Sequence, residues 1–208
     1  MKATLSARSL RKTFNRRVIF DNISFEAGMG QTILVSGRNG SGKSTLVKLL
    51  SRVLTPSGGT ITLSVDDRTI PEIAWPEAVG LVSPYFQLYD EFTARENIEL
   101  ALTLRGKRPD HERITEMLQE VSLLHRADDP VRTYSSGMKQ RVKLAFALVG
   151  RPQVLFLDEP MTNLDAEGIA LVRRIMERQR ERGILIVATN DLTDVQHYDG
   201  MVDLNAQH

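Results

Sequence analysis

Apolar and polar residues alternate from residue 3 to residue 36, and turn-forming residues interrupt the alternation at Asn15-Arg16 and at Ala27-Gly28-Met29-Gly30. A period of two places successive side chains on opposite faces of a strand, so this stretch predicts short antiparallel strands joined by turns. Val154-Leu155-Phe156-Leu157 and Ile184-Leu185-Ile186-Val187-Ala188 are instead continuously apolar. Such runs predict parallel strands covered on both faces. Thr32-Ile33-Leu34-Val35, Thr60 to Val65, Ala78 to Val82 and Met201 to Leu204 read as further strands, and Pro71 and Pro76 bracket a surface connection.

Elsewhere the spacing changes to three and four. Leu46, Val47, Leu49 and Leu50 share one face of a helix, and the charged stretch Ala166 to Arg182 predicts another between two apolar runs. From about Thr93 to Gly150 the same spacing recurs in Arg95 to Leu104, His111 to Leu124 and Gly137 to Val149, a helical subdomain at about 88–150. Strand and helix therefore alternate, which predicts an α/β fold with a mostly parallel sheet, and the whole of 1–208 is read as one domain.

Chemistry enters at Gly37-Arg38-Asn39-Gly40-Ser41-Gly42-Lys43-Ser44, which follows an apolar run and opens an amphipathic one. Strand, glycine-rich loop and helix are the parts of a phosphate-binding loop: the glycines turn backbone N–H groups inward around phosphate oxygens, and the helix start adds its positive dipole end. Lys43 is expected to reach the β and γ phosphates of a nucleoside triphosphate and Ser44 to hold Mg²⁺, with Thr45 continuing the loop into the helix. A second signal is Asp158-Glu159-Pro160 at the end of an apolar strand, taken to lie on the strand adjacent to the phosphate loop. Carboxylates there suit a Mg²⁺ shell (Asp158) and an attacking water (Glu159). A third is Tyr134-Ser135-Ser136-Gly137-Met138-Lys139-Gln140-Arg141, in which Ser135 or Ser136 caps a helix.

Composition removes several alternatives. With 27 Lys+Arg against 26 Asp+Glu the net charge is +1, so there is no global electrostatic case for nucleic acid or an anionic membrane surface, and the basic residues Arg8, Arg11, Lys12, Arg16 and Arg17 read as a solvated strand face. The chain has no cysteine and hence neither disulfides nor thiol chemistry; its histidines, His111, His125, His197 and His208, lack metal-ligand spacing. No apolar run approaches the roughly 18 residues a bilayer span requires, and Met1 to Leu10 carries no secretion signal, so the expected location is cytoplasmic.

Taken in order along the chain, the phosphate loop, the Ser135–Gly137 signature, the acidic strand and Asn163-Leu164-Asp165 resemble the ATP-binding cassette (ABC) ATPases. The resemblance implies a RecA-like P-loop NTPase core with an antiparallel β-subdomain and an inserted helical subdomain. It further implies that two cassettes sandwich two ATP molecules, so that Ser135 and Gly137 of one contact the γ-phosphate held by the other. Phe14 resembles the family's adenine-stacking aromatic, with Phe20 and Phe25 as rivals. The partners implied are a second ABC ATPase subunit, identical or not, and a separately encoded transmembrane permease that holds the chain peripherally on the inner face of the cell membrane. No nucleic acid partner is expected. The permease would dock beside Gln87 and the helices around Tyr89 to Leu104, with Tyr85, Phe86, Tyr89 and Phe92 as candidate contacts, at least two of them expected in the core.

Three positions depart from the family pattern. The signature reads Ser135-Ser136-Gly137-Met138, a variant similar to exporter-type cassettes. In Val82-Ser83-Pro84-Tyr85-Phe86-Gln87, ungapped matching puts Pro84 at the usual glutamine position, so Gln87 reaches Mg²⁺ and water through a shifted loop or else is simply solvated. Asn190 stands where relatives carry a histidine that contacts the γ-phosphate; it donates a hydrogen bond but cannot become cationic, which implies slow turnover. The compact length resembles heme-exporter and ABC-2 type export subunits. A non-transport ABC ATPase acting on ribosome or DNA, and a nucleotide-sensing cassette with little hydrolysis, are the alternative readings.

Overall fold

The computed structural model describes residues 2–207; Met1 and His208 lie outside it. Strand β1 (Ala3–Phe14) and strand β2 (Arg17–Gly28) pair antiparallel across Asn15 and Arg16, whose φ angles of 46° and 68° make the tight primed turn that matches strand twist. Strand β3 (Thr32–Ser36) leads into the glycine-rich loop and helix α1 (Lys43–Leu50). Strand β4 (Gly58–Val65) then returns to β1 and is extended by β5 (Arg68–Thr69), giving an antiparallel sheet in the order β2-β1-β4-β5.

Helix α2 (Trp75–Ala78) and strand β6 (Val79–Val82) follow. The connection bracketed by Pro71 and Pro76 is less superficial than its sequence suggests: Trp75 is buried there and its indole N–H donates to the Ile70 carbonyl at 3.2 Å, which anchors the segment. The helical insertion comprises α3 (Ala94–Thr103), α4 (His111–Glu120) and α5 (Ser136–Leu148). Thr93 and Glu96 form a reciprocal capping box at the start of α3. Helix α4 stops at Glu120, short of the expected Leu124, because Ser122 takes a φ of 59° and the Leu123 N–H turns back to the Leu118 carbonyl at 2.8 Å, a Schellman closure.

Strand β7 (Val154–Asp158), helix α6 (Ala166–Arg182), strand β8 (Ile184–Thr189) and strand β9 (Gly200–Asp203) complete a parallel sheet ordered β6-β7-β8-β3-β9. The sequence reading put the acidic strand β7 next to β3, and the structure does not: β6, β7 and β8 lie side by side in chain order, which leaves β8 between β7 and β3. Along β7, Leu155 and Leu157 face one core, shared with α3, α4, α5 and α6, while Val154 and Phe156 face the other, shared with α1 and the antiparallel sheet. Burial on both faces explains the unbroken apolar runs, and each such side chain contributes on the order of 2 kcal/mol. The parallel register levels Asp158 with Ala188 and Ser36 with Thr189. The phosphate loop, Glu159 and Asn190 consequently leave the sheet at one edge.

Candidate active site

Backbone geometry in the loop after β3 is demanding. Gly37, Gly40 and Gly42 have φ values of 158°, 82° and 104°. A Cβ on Gly42 would fall 2.7 Å from Ile19 Cγ2 on β2, so the loop is pressed against the antiparallel sheet at a point only glycine fits. Arg38, Asn39 and Gly40 are exposed at the tip, Ser41 and Lys43 are buried, and the loop closes through Ser41 N–H donating to the Arg38 carbonyl at 3.0 Å. The Arg38 N–H donates to Asn205 Oδ1 at 3.0 Å, which ties the tip to the C-terminal end of the chain. Lys43 Nζ donates to the Gly37 carbonyl at 2.8 Å and lies 3.3 Å from Glu159 Oε1.

Although β8 separates the two strands, α1 packs across both β7 and β8 and brings the loop to the acidic end of β7. Asp158 is 1% exposed. Ser83 Oγ donates to its Oδ2 at 3.4 Å, while Oδ1 has no hydrogen-bond partner in the protein. Burial pushes the Asp158 pKa up, opposed by Ser44, Ser83 and the charge of Lys43. A buried carboxylate beside a serine hydroxyl, with one oxygen unsatisfied, is a donor set that fits a hard divalent cation such as Mg²⁺. Glu159 takes a left-handed backbone (φ 50°), its N–H donating to the Ala188 carbonyl at 2.8 Å, and this turns its side chain out of the sheet toward Lys43.

Gln87 and Glu159 line the same cavity of about 200 Å³, together with Pro84, Lys143 and Asn163. Asn190 is exposed at the end of β8, where the Thr189 hydroxyl donating to Asp194 at 2.6 Å fixes the following turn. Of the three candidate aromatics, Phe20 is fully buried, Phe25 packs against the core and Phe14 is 44% exposed, with Lys12 Nζ 4.7 Å from its ring centroid. Phe14 is the exposed one of the three. Of Tyr85, Phe86, Tyr89 and Phe92, only Phe86 packs into the core, 4.7 Å from Phe146; the expectation of a second core member fails, and Tyr85 and Tyr89 are 67% and 58% exposed.

The signature lies apart from Lys43 within one chain. Ser135, not Ser136, caps α5, accepting from the Met138 N–H at 3.2 Å. Ser135 and Gly137 line a separate polar cavity of about 360 Å³ with His125, Arg141, Asn163 and Asp165. A Cβ on Gly137 would stand 3.3 Å from the Asn163 carbonyl oxygen, so signature and Asn163-Leu164-Asp165 are in contact. Arg141 reinforces this, 3.3 Å from Asp165 and 3.6 Å from Glu167. Ser83, Arg141 and Asn205 were not legible as site residues: each acts through a partner 24 to 167 positions away.

One chain thus carries a glycine loop closed over a buried lysine and, apart from it, an exposed Ser135–Gly137 segment, and a family model described as "ABC transporter" matches residues 20–162. The chain belongs to the ABC transporter ATPase family. The cassette is 31% identical to the arginine transport ATP-binding protein ArtM of Bacillus subtilis over 90% of this chain and 81% of that protein. It is equally 31% identical to the cytochrome c biogenesis ATP-binding export protein CcmA of Nitrosomonas europaea, over 89% and 87%. Among solved structures, a putative ABC transporter ATP-binding protein from Pyrococcus furiosus superposes with a TM-score of 0.82, covering 98% of each chain at 22% identity, which supports the fold. This cassette is thus an ATP-binding, ATP-hydrolysing transport subunit of a family that works as dimers with a transmembrane permease. Among the described residues no helix is long and apolar enough to cross a membrane.

Proposed function

We propose that Lys43, Ser44, Asp158 and Glu159 carry ATP hydrolysis in this cassette, and that the energy of closure around ATP drives a separate membrane subunit. The observation that carries the assignment is the Asp158 carboxylate: buried, hydrogen-bonded to Ser83, and left with one unpartnered oxygen at the end of β7. Ser44 and Asp158 would hold Mg²⁺, which supplies charge neutralisation on the β and γ phosphate oxygens. Gly37 to Thr45 wrap the phosphates with backbone N–H groups. Lys43 exchanges its Gly37 carbonyl for phosphate oxygens, because a charge-assisted bond to an anion outcompetes a neutral carbonyl. Released from Lys43, Glu159 accepts a proton from the attacking water, and Gln87, lining the same cavity, orients that water.

Phe14 stacks on the adenine through the ring face opposite Lys12. Ser135 and Gly137 complete the partner cassette's site, the N-terminus of α5 pointing at its γ-phosphate. Asn190, leaving β8 level with the phosphate loop, donates a neutral hydrogen bond where a histidine would add charge, and turnover is accordingly slow. The permease docks on the exposed aromatics Tyr85, Tyr89 and Phe92, which places the cassette peripherally on the inner face of the membrane in an export system.

Glu159→Gln tests the assignment. ATP affinity is expected to hold while hydrolysis falls roughly 10²-fold to 10³-fold, and sedimentation in ATP shows a trapped dimer. Undiminished turnover in this variant removes Glu159 from the chemistry.

A further inference from the structure

The cavity of about 200 Å³ beside Glu159 is open to the helical insertion: Lys43 and Ser44 do not line it, whereas α5 contributes Ser136, Lys139, Gln140 and Lys143. Glu159 is thus shared, its carboxylate 3.3 Å from Lys43 and at the same time a wall of a space that Lys43 does not enter. At about 30 Å³ per water molecule, that space has room for a small oxyanion and part of its hydration shell. Two of the groups from α5 are already engaged. Lys139 Nζ is 2.8 Å from Asp90 Oδ1, and Gln140 Nε2 donates to the Pro160 carbonyl at 3.4 Å.

Lys143 is not. An ammonium has three donors, and this one reaches the Ser83 carbonyl at 3.5 Å, the outer limit of a hydrogen bond. Among the described residues no carboxylate lies within ion-pairing distance of it, although its neighbour Lys139 has one. Half-burial, and then the charge of Lys139 one turn away on α5, press the Lys143 pKa down, so the fold holds this charge at a cost. It holds it close to the chemistry, since Ser83 is the residue whose hydroxyl donates to Asp158 at 3.4 Å. A half-buried cation with spare donors, facing a polar cavity and lacking a counter-ion, is a receptor for an anion.

We infer that this cavity takes up the inorganic phosphate cut from ATP, and that Lys143 is the cation that draws it away from the phosphate loop. The inference rests on the hydrolytic reading above and adds to it a subsite for the product. In that reaction the water oxygen bonds to the γ-phosphorus and the water's proton goes to Glu159. The bond from phosphorus to the β,γ-bridging oxygen breaks, its electron pair staying on ADP. Phosphate therefore forms beside a carboxyl group that has just been neutralised, with an uncompensated ammonium lining the space on its other side. Once Glu159 passes its proton to solvent its charge repels the phosphate, while Lys143 and the amide groups of Gln87 and Asn163 hold it in the cavity. Lys43 is then free to return to the Gly37 carbonyl.

The full chain is loaded with Mg²⁺ and the β,γ-imido analogue of ATP, which fills the γ-phosphate position, and titrated with radiolabelled orthophosphate in equilibrium dialysis. The wild type is expected to bind phosphate beside the analogue. Lys143→Gln is expected to weaken that binding about 10-fold, the scale of one charge-assisted hydrogen bond, and Lys143→Arg to restore most of it. Inhibition of turnover by added phosphate should weaken by the same factor in Lys143→Gln. Affinity for the analogue and the thermal midpoint are measured in each variant to show that it is folded. No phosphate bound by the wild type, or binding that Lys143→Gln leaves intact, overturns the inference and makes Lys143 a solvated lysine of α5. Phosphate that binds only when the analogue is absent overturns it as well, because it then occupies the γ position at Lys43. Failure of the wild type to bind the analogue counts against the ATP reading and this subsite together, whereas analogue binding without phosphate binding counts against the subsite alone.

Discussion

At Lys43 the chain closes upon itself, while at Ser135 it faces outward. Lys43 is buried and held by the Gly37 carbonyl and Glu159, with Asp158 sealed nearby under Ser83 and Ser44. Ser135 and Ser136 are exposed at the mouth of a polar cavity whose other walls are His125, Arg141 and Asp165. Both lie at a helix start, yet only the first combines its helix end with a buried lysine and carboxylate. On the proposed function the difference separates two quantities that hydrolysis joins: affinity for ATP, assigned to one chain, and turnover, assigned to its meeting with the signature of another.

The sharpest way to break this contrast is Lys43→Ala. Loss of the charged contact to the phosphates is expected to lower ATP affinity of the isolated chain roughly 10²-fold, read by calorimetry. Retained affinity would contradict the phosphate-loop assignment. On the other side of the comparison, Gly137→Ala adds a methyl group 3.3 Å from the Asn163 carbonyl and should disturb only the outward site. Steady-state hydrolysis then drops about 10-fold with ATP affinity of the monomer unchanged, since misplacing a catalytic partner costs rate rather than binding. A parallel fall in affinity would show that the two sites are not separable.

Smaller effects sharpen the picture within the closed site. Burial disfavours the ionised Asp158, so its charge subtracts from stability at pH values above its raised pKa. Asp158→Asn removes that cost and is expected to raise the unfolding midpoint of the ligand-free chain by about 2–4 °C, corresponding to about 1 kcal/mol, while the Mg²⁺ dependence of ATP binding disappears. An unchanged Mg²⁺ dependence would take Asp158 out of the cation site. Asn190→His is the mildest: restoring a cationic donor to the edge of the sheet is expected to speed basal hydrolysis about 3-fold, a fraction of one charge-assisted hydrogen bond. If the rate does not move, Asn190 is not what limits it.

The motifs were legible because their chemistry is local. Gly37 to Ser44 must combine glycines, a lysine and a hydroxyl within one turn, and Asp158-Glu159 must follow an apolar strand, so both show up as contiguous residues. Helix α6 was legible to its ends because Asp165 caps it by accepting from Gly168 N–H at 2.8 Å and the apolar strand β8 follows at once. Contributions with no local signature were not: Ser83 on Asp158 is 75 positions away in sequence and Asn205 on Arg38 is 167 away, and a lone serine or asparagine carries no periodicity.

The sequence alone therefore determined the alternation of strands and helices, the phosphate loop, the acidic strand end and the signature, since all are written in residue type and near-neighbour spacing. Tertiary structure decided the rest: that β8 intervenes between β3 and β7, that Glu159 meets Lys43, that Phe14 and not Phe20 is exposed, and that Lys143 lines the cavity beside Glu159. Strand order, exposure and charge pairing are properties of which distant segments share a core, and hydrophobic burial, which is non-directional, selects those neighbours only when the whole chain packs.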